Sequence, residues 1–517
     1  MPRSEPPPTV VALLAARAAA QPDRTAVRQD GRELDFGRWW SEARRLARSL
    51  VAAGLKPGQR VALLPGEDWL RHAVDFAGVL TAGGVALPLS AALPARQLAE
   101  ALRRNGAVGV LHAPGLTVPA GPWWTATELP DAPSALPLPD VGPDDPAQLV
   151  CTSGSTGAPK DVAASHGNLC HGRTTHPRTR RYAHSQAMLH AFPIGTNAAQ
   201  MMLVEALTAH PVLCCAGPFE AGAFADLIER ERIGTVFLVP ATAAELLRSG
   251  ALGGRELGSV QLVSSSAAAL PPALARELAA AFPGAVLVNY YTSTEAVPAQ
   301  LSVIVDPSRP EALGRPADPR DLRIAGPDGA ELPVGEVGEV WLRSDAPPRR
   351  YAGDAVATAA VFRDGWVRMG DLGRLDRAGY LYLVDRESDV IKSGALKVST
   401  LRIEAALLEH PAVAEAAAVG VPHPVMGAVP AAVLRADRPV DLDELRDFLA
   451  ERLTRAERPV RLLLVDRLPR TATGKPVKPE VRRLLAAPAA APVPEPEPEQ
   501  LVADPFARPF LPTPEDF

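Results

Sequence analysis

The stretch CTSGSTGAPKDV, Cys151 to Val162, decides how the rest of the chain is read. It follows a short, mostly apolar run, Ala147 to Val150, and gathers hydroxyls, two glycines, a proline and a lysine, a composition unsuited to a helix or strand interior. The segment therefore reads as a loop. Gly154 and Gly157 permit positive φ and close backbone approach. Successive N–H groups and the hydroxyls of Thr152, Ser153, Ser155 and Thr156 can then converge on an anion, with Lys160 adding charge, as suits a phosphate. The Walker spacing is absent, because no GKS or GKT follows the second glycine at the required interval. A Ser/Gly-rich surface linker is the competing reading of the same composition. Lys160 behind a proline and the flanking apolar runs argue against it.

Working outward, a chain of 517 residues exceeds one ordinary core and implies several domains or subdomains. Charge is mixed at a net −5 with no basic block, so no nucleic-acid partner is expected. The cysteines at 151, 170, 214 and 215 form no CxxC pair, which fits a reducing compartment. The N-terminus lacks a signal-peptide apolar region and no apolar stretch reaches transmembrane length. A cytoplasmic protein without membrane partners is the expectation.

Apolar periodicity predicts an α/β chain. Thr9–Ala20 reads as a helix, Thr25–Val27 with Leu34 and Phe36 as a small hairpin, and 36–54 as a helix. Arg60–Leu64, 68–82 and 85–89 then read as strand, helix and strand, a βαβ unit that implies parallel sheet. A helix at 94–104, a strand at 108–112 and a Pro-rich connection to 146 lead to the opening stretch. Beyond it, strands are expected at 186–192, 211–215, 235–239 and 259–264, with helices at 221–232 and 271–281. From about Leu322, short strands and turn signals indicate a β-rich subdomain. Residues 391 to 465 read as a compact α+β module, with helices at 400–409 and 442–453 and strands at 413–421 and 460–465. After Leu485 the segment AAPAAAPVPEPEPEQ has the composition of a solvated linker that buries no core.

The opening stretch resembles the phosphate-binding signature of the adenylate-forming superfamily, which comprises acyl- and aryl-CoA synthetases, peptide-synthetase adenylation domains and luciferases. Further family-like motifs follow in family order: NYYTSTEA at 289–296, GEVGEVWL at 335–342, MGDLGRLDRAGYLYLVDR at 369–386 and RTATGKPVK at 470–478. The resemblance implies an α/β fold with a large N-terminal domain of α/β subdomains plus a β-rich subdomain, and a small mobile α+β C-terminal domain. It divides the chain into an adenylation core (1–387), a mobile domain (388–486) and a Pro/Glu-rich tail (487–517), with a site between core and mobile domain.

The reaction implied is a carboxylic acid plus MgATP giving acyl-AMP and pyrophosphate, followed by transfer to a thiol. A carboxylate is a poor electrophile, and the mixed anhydride supplies the leaving group that thiol attack needs. The protein then has to position two anions and neutralise developing charge. By this resemblance Thr152, Ser153, Gly154, Ser155, Thr156, Gly157 and Lys160 hold the β- and γ-phosphates. Glu295 matches a Mg²⁺ ligand and Thr294 an α-phosphate contact; Asp371 matches the acceptor of both ribose hydroxyls, and Arg386 a second ribose or phosphate contact. Lys475 matches the lysine that bridges carboxylate, α-phosphate and ribose in adenylation. Taken singly, these residues read as a helix cap, a turn residue and solvated surface charges.

The sequence departs from the family at several points. Asp161 replaces a glycine and is unfavourable near pyrophosphate unless it turns outward or pairs, Lys160 being one candidate partner. Ser264, Ser265 and Ser266 replace glycines of the adenine strand, and Thr292 another glycine. Ser388 stands at the hinge position, while Arg402 and Ala428 replace glutamates. Thr196 stands where peptide synthetases carry an aspartate for an α-ammonium and many acid ligases a histidine, which disfavours an α-amino acid. With Asn197, Ser266, Thr292 and Ser293 it implies a mildly polar pocket for a small acyl, alicyclic, aryl or non-α-amino acid. The resulting expectation is a ligase using ATP and Mg²⁺ that loads the phosphopantetheine of an acyl or peptidyl carrier protein in polyketide- or nonribosomal-type biosynthesis. A CoA ligase is the alternative, and an inactive nucleotide-binding scaffold the alternative of another class.

Overall fold

The computed structural model describes residues 9–152, 160–394, 396–471 and 474–486. Ser153, Gly154, Ser155, Thr156 and Gly157, and the tail from 487, lie outside the described residues. Two compact units are present. The first holds the chain up to residue 267 with Leu278–Gln300 and Leu342–Val367, and the second holds Ala268–Glu277, Leu301–Trp341 and the chain from Arg368.

In the first unit, α1 (Val10–Ala20) starts at Thr9, whose hydroxyl accepts the Ala12 N–H. Then come β1 (Thr25–Gln29), β2 (Arg32–Asp35), α2 (Phe36–Ala52), β3 (Arg60–Leu64), α3 (Trp69–Thr81), β4 (Val85–Pro88), α4 (Ala95–Arg104) and β5 (Ala107–His112). After β6 (Trp124–Ala126) follow β7 (Pro146–Thr152), β8 (Lys160–Ser165) and α5 (His166–Cys170). The alternation continues with β9 (Ala187–His190), α6 (Asn197–Thr208), β10 (Val212–Cys215), α7 (Ala221–Arg230), β11 (Thr235–Leu238), α8 (Pro240–Arg248), β12 (Leu262–Ser265) and β13 (Val286–Tyr291).

These strands build two largely parallel sheets. One runs β13-β12-β11-β9-β10-β1, parallel throughout, with β2 antiparallel at its end. The other runs β7-β4-β3-β5-β6, parallel, and is extended antiparallel by β8 and then by the short strand Arg350–Tyr351. One core takes Val27, Met188 and Leu213 from the first sheet, Val61, Leu63 and Leu111 from the second, and Trp39, Trp69, Phe76 and Leu203 from the helices. All of α3 but the half-buried Arg71 and Val74 is buried, and its polar residues are partnered, Arg71 with Asp75 at 3.1 Å and His72 with Gln200. A Cβ at Gly78 would lie 2.7 Å from Leu46 Cδ2, so this glycine sets how closely α3 approaches α2.

In the second unit the long strands Val413–His423 and Gly427–Ala436 pair antiparallel, and Arg461–Leu464 adds in parallel. Side chains alternate between two cores. Ala416, Ala418, Ala432 and Leu434 pack with Ile403 and Leu407 of helix Thr400–Leu408 and with Leu445 and Leu449 of helix Leu442–Ala450. Ala417, Val419, Ala431 and Val433 pack with Val481 and Leu485 of helix Lys478–Ala486. Strands Trp366–Leu375 and Leu381–Arg386 form an antiparallel pair in a separate β-sheet.

Most expected elements appear within a few residues. The opening stretch is not loop throughout: Cys151 and Thr152 end β7, and Lys160, Asp161 and Val162 begin β8. Ladder bonds to flanking apolar strands outweigh the local composition there. Strand β6 lies inside the Pro-rich connection, and α6 begins at Asn197, where only pocket residues are expected from the sequence.

Candidate active site

Several predicted acid-pocket and catalytic residues follow the carboxyl ends of neighbouring parallel strands, where open α/β sheets bind ligands. Thr196 and Asn197 follow β9, Ser266 follows β12, and Thr292 to Glu295 follow β13. The last segment closes as a turn. Thr292 Oγ1 donates to Ala299 O at 2.7 Å, and Ser293 Oγ accepts the Ala296 N–H at 3.2 Å. Thr196 is the N-cap of α6, its hydroxyl accepting the Ala199 N–H at 3.2 Å.

Sequence reasoning missed the residue that ties these segments together. Arg349 is 2 % exposed, and its guanidinium donates to Asn168 Oδ1 (2.8 Å), Asn197 Oδ1 (2.7 Å) and Thr294 O (2.8 Å). Asn168 Nδ2 in turn donates to Val297 O and Pro347 O. Burial pulls the guanidinium down to about 10, which leaves it cationic at neutral pH, with the Glu295 carboxylate favouring that charge. The predicted pocket residue Asn197 thus spends its carbonyl oxygen on Arg349. Two residues on, Tyr351 donates its hydroxyl to Glu295 Oε1 at 2.9 Å, so Glu295 sits in a turn with a phenol partner and caps no helix. The Lys160 ammonium lies 4.6 Å from the centroid of the same ring. The signal in APPRRYAGD was weak, since adjacent arginines after prolines read as surface charge.

At the hairpin, Thr152 Oγ1 donates to Lys160 O at 3.1 Å, and these residues face each other in register. Asp161 takes the opposite face of β8. Its carboxylate is buried and accepts two bonds from Arg104 of α4, Nε at 2.5 Å and Nη2 at 3.0 Å. Arg104 therefore answers the question that Asp161 posed, in place of Lys160. Hydrogen bonds from Arg104, Cys151 and Asn105 hold the carboxyl below its usual range against the opposing effect of burial.

In the second unit Asp371 and Arg386 are register partners on adjacent strands, with Arg386 Nε 3.3 Å from Asp371 Oδ1. Asp371 is buried and Arg386 exposed. Ser388 is exposed in the turn that follows, where Asp389 N and Val390 N both donate to Arg386 O. Asp385 is buried and accepts the Thr400 N–H (2.5 Å) and hydroxyl (3.2 Å); burial pushes it up to about 6. Lys475 belongs to a turn in which Thr471 N donates to Lys475 O at 2.8 Å and Lys475 N to Thr471 Oγ1 at 3.1 Å. Arg470, paired with Glu415, donates to Gly474 O and fixes that turn. The departure Arg402 has a local cause, an ion pair with the buried Glu457 at 3.0 Å.

No group of three or more His, Cys, Asp or Glu side chains among the described residues is placed to hold a metal ion. One half-buried carboxylate, Glu295, beside a Lys160-bearing hairpin suits a Mg²⁺ delivered with a polyphosphate, because that ion uses one or two carboxylates plus substrate phosphates. No helix among the described residues is long and apolar enough to cross a membrane.

Comparison with known proteins matches residues 14–352 to the AMP-binding enzyme family and 402–475 to the AMP-binding enzyme C-terminal domain. A feruloyl-CoA synthase of Amycolatopsis sp is 34% identical over 487 residues, covering 90% of this chain and 97% of the relative. Among solved structures, the amide bond synthetase McbA of Marinactinospora thermotolerans aligns with a TM-score of 0.78 at 26% identity, covering 92% of this chain and 99% of that one. The o-succinylbenzoate CoA synthetase of Bacillus subtilis, bound to its acyl-adenylate intermediate, aligns with a TM-score of 0.80 at 25% identity, covering 92% and 98%. The same synthetase has also been solved with ATP and magnesium ion. With two family domains in order and a relative matched along nearly its whole length, the chain belongs to the AMP-binding enzymes of the adenylate-forming superfamily and is an AMP-forming acid–thiol ligase.

Proposed function

We propose that the protein activates an aryl or other non-α-amino carboxylic acid as its acyl-adenylate and transfers the acyl group to the thiol of coenzyme A. The observation that carries this reading is the fixed turn Thr294–Glu295, tied through Tyr351 to the hairpin that presents Lys160. In it, Lys160 and the loop 153–157 bind the β- and γ-phosphates, Glu295 holds Mg²⁺, and Thr294 contacts the α-phosphate. Asp371 and Arg386 take the ribose, and Lys475 neutralises charge as carboxylate oxygen attacks the α-phosphorus and pyrophosphate leaves. When bound, Mg²⁺ supplies charge neutralisation on the polyphosphate. The thiol then adds to the acyl carbon and AMP departs. Between the half-reactions residues 388–486 turn about Ser388 against residues 1–387.

The acceptor is assigned to coenzyme A because the feruloyl and o-succinylbenzoate relatives are CoA enzymes. The departure at Arg402, which on sequence favours a carrier protein, has its own structural explanation in Glu457. An acid without an α-ammonium fits Thr196, which offers no counter-charge, and Arg349 beside Asn197, which would repel one. The test is ATP–pyrophosphate exchange across a panel of acids, followed by product capture with coenzyme A or a phosphopantetheinylated carrier. Exchange with aryl acids and direct acyl-CoA formation is expected. Acyl-carrier formation with no acyl-CoA, or exchange confined to α-amino acids, overturns the assignment.

A further inference from the structure

Tyr351 touches two groups of opposite charge with opposite poles of one side chain. Its ring face, which is electron-rich, lies under the Lys160 ammonium at 4.6 Å, and its hydroxyl donates to Glu295 Oε1 at 2.9 Å. The ring is held in place. Arg350–Tyr351 pairs antiparallel with β8, Tyr351 opposite Val162, which sets Lys160 diagonally across the ladder on the same face. Tyr351 N donates to Thr358 Oγ1 at 3.1 Å, and the ring meets Phe362 edge-on at 5.7 Å. Side-chain alternation puts Arg349 on the same face, where it fixes the Thr294 carbonyl.

A lysine and a carboxylate sharing so small a region attract each other, and a direct ion pair would occupy the groups that polyphosphate and its cation must engage. We propose that Tyr351 is a positioning residue that separates Lys160 from Glu295 in the nucleotide-free enzyme and holds each in a contact weak enough to be given up when nucleotide arrives. The inference rests on the phosphate and Mg²⁺ roles proposed above for Lys160 and Glu295. Replacing the phenol removes both contacts, lets Lys160 close on Glu295, and makes ATP compete with an ion pair.

The experiment is a double-mutant cycle read by calorimetric binding of ATP in EDTA, so that neither turnover nor metal enters the readout. The proteins are the wild type, Y351L, E295Q and Y351L/E295Q, with far-UV circular dichroism as the folding control. Removing the carboxylate helps Mg-free ATP bind in any background by relieving repulsion, so the coupling is the informative quantity. E295Q should strengthen binding about 5-fold more in the Y351L background than beside Tyr351, the size of one partly exposed ion pair. Equal effects of E295Q in both backgrounds overturn the proposal. If Y351L fails to fold, the same cycle with Y351F, which keeps the ring, should give a smaller coupling of the same sign, and zero coupling again overturns it. A wild type that does not bind ATP sinks the adenylation reading itself, whereas ATP binding with an additive cycle sinks only the role of Tyr351.

Discussion

Replacing Arg349 with methionine is the sharpest test of how the site is held together. The guanidinium makes three hydrogen bonds to neutral oxygens, at 2.7 to 2.8 Å, from a position 2 % exposed. Leaving the buried Asn168 Oδ1 without a donor costs about 2 kcal/mol, and the half-buried Asn197 Oδ1 and Thr294 O about 1 kcal/mol each, or about 4 kcal/mol in all. Against this, methionine relieves the desolvation of the cation. Burial lowers the guanidinium from its ordinary value to about 10. That fall corresponds to about 3 kcal/mol. The net expectation is a loss of about 1 kcal/mol. Equilibrium urea unfolding followed by tryptophan fluorescence measures it, since Trp39 and Trp69 lie in the core of the first unit. Because Thr294 O loses its anchor, ATP–pyrophosphate exchange should fall by about 100-fold, the usual effect of displacing reacting groups by about an ångström. Arg349→Lys keeps the charge but not the fork and should recover only part of either loss. A methionine variant within about 0.5 kcal/mol of wild type, with undiminished exchange, would refute the reasoning.

Three further outcomes follow from the geometry. Lys475→Ala should abolish most acyl-adenylate formation while sparing thioester formation from preformed acyl-AMP; equal losses in both half-reactions would contradict a swing about Ser388. Asp385 has a folded pKa of about 6, raised by burial, so the native state holds the extra proton and stability falls as pH rises from about 4 through 6. The span is about 3 kcal/mol, and Asp385→Asn should remove it, which urea unfolding at pH 4.5 and 7, approximately, will show. His72 slopes the other way. Burial pushes it down to about 4 against its bond to Gln200 Oε1 at 3.0 Å, so its contribution is complete above about 6.5 and lost as pH falls toward 4. His72→Gln should flatten that acid limb, and an unchanged slope would show that His72 is not neutral in the fold.

The sequence shows the sheets and helices well because their signals are local. Arg60–Leu64 is a strand in the residues that its apolar run marks, and α2 begins at Phe36, as expected. Motif order, with no geometry at all, is what proposes the roles of Glu295, Asp371 and Lys475. What stays hidden is long-range. Asp161 finds Arg104 on another element, 57 residues away, and Arg349 reaches Asn168 across 181. No window of periodicity spans such distances. Thr196 reads as a pocket group because its neighbours resemble a motif; its hydroxyl also starts α6, a role that the Thr-Asn pair before an apolar run signals.

The opposite facing of Lys160 and Asp161 pins the register of β8. A slip of β8 by one residue would turn the lysine toward Arg104, cation against cation, and swing the carboxylate to the side where the ammonium now meets Tyr351. A slip by two restores the faces but carries Lys160 about 7 Å along the strand, out of register with Thr152. A one-residue slip of β8 therefore carries an electrostatic penalty written into Lys160 and Asp161 themselves.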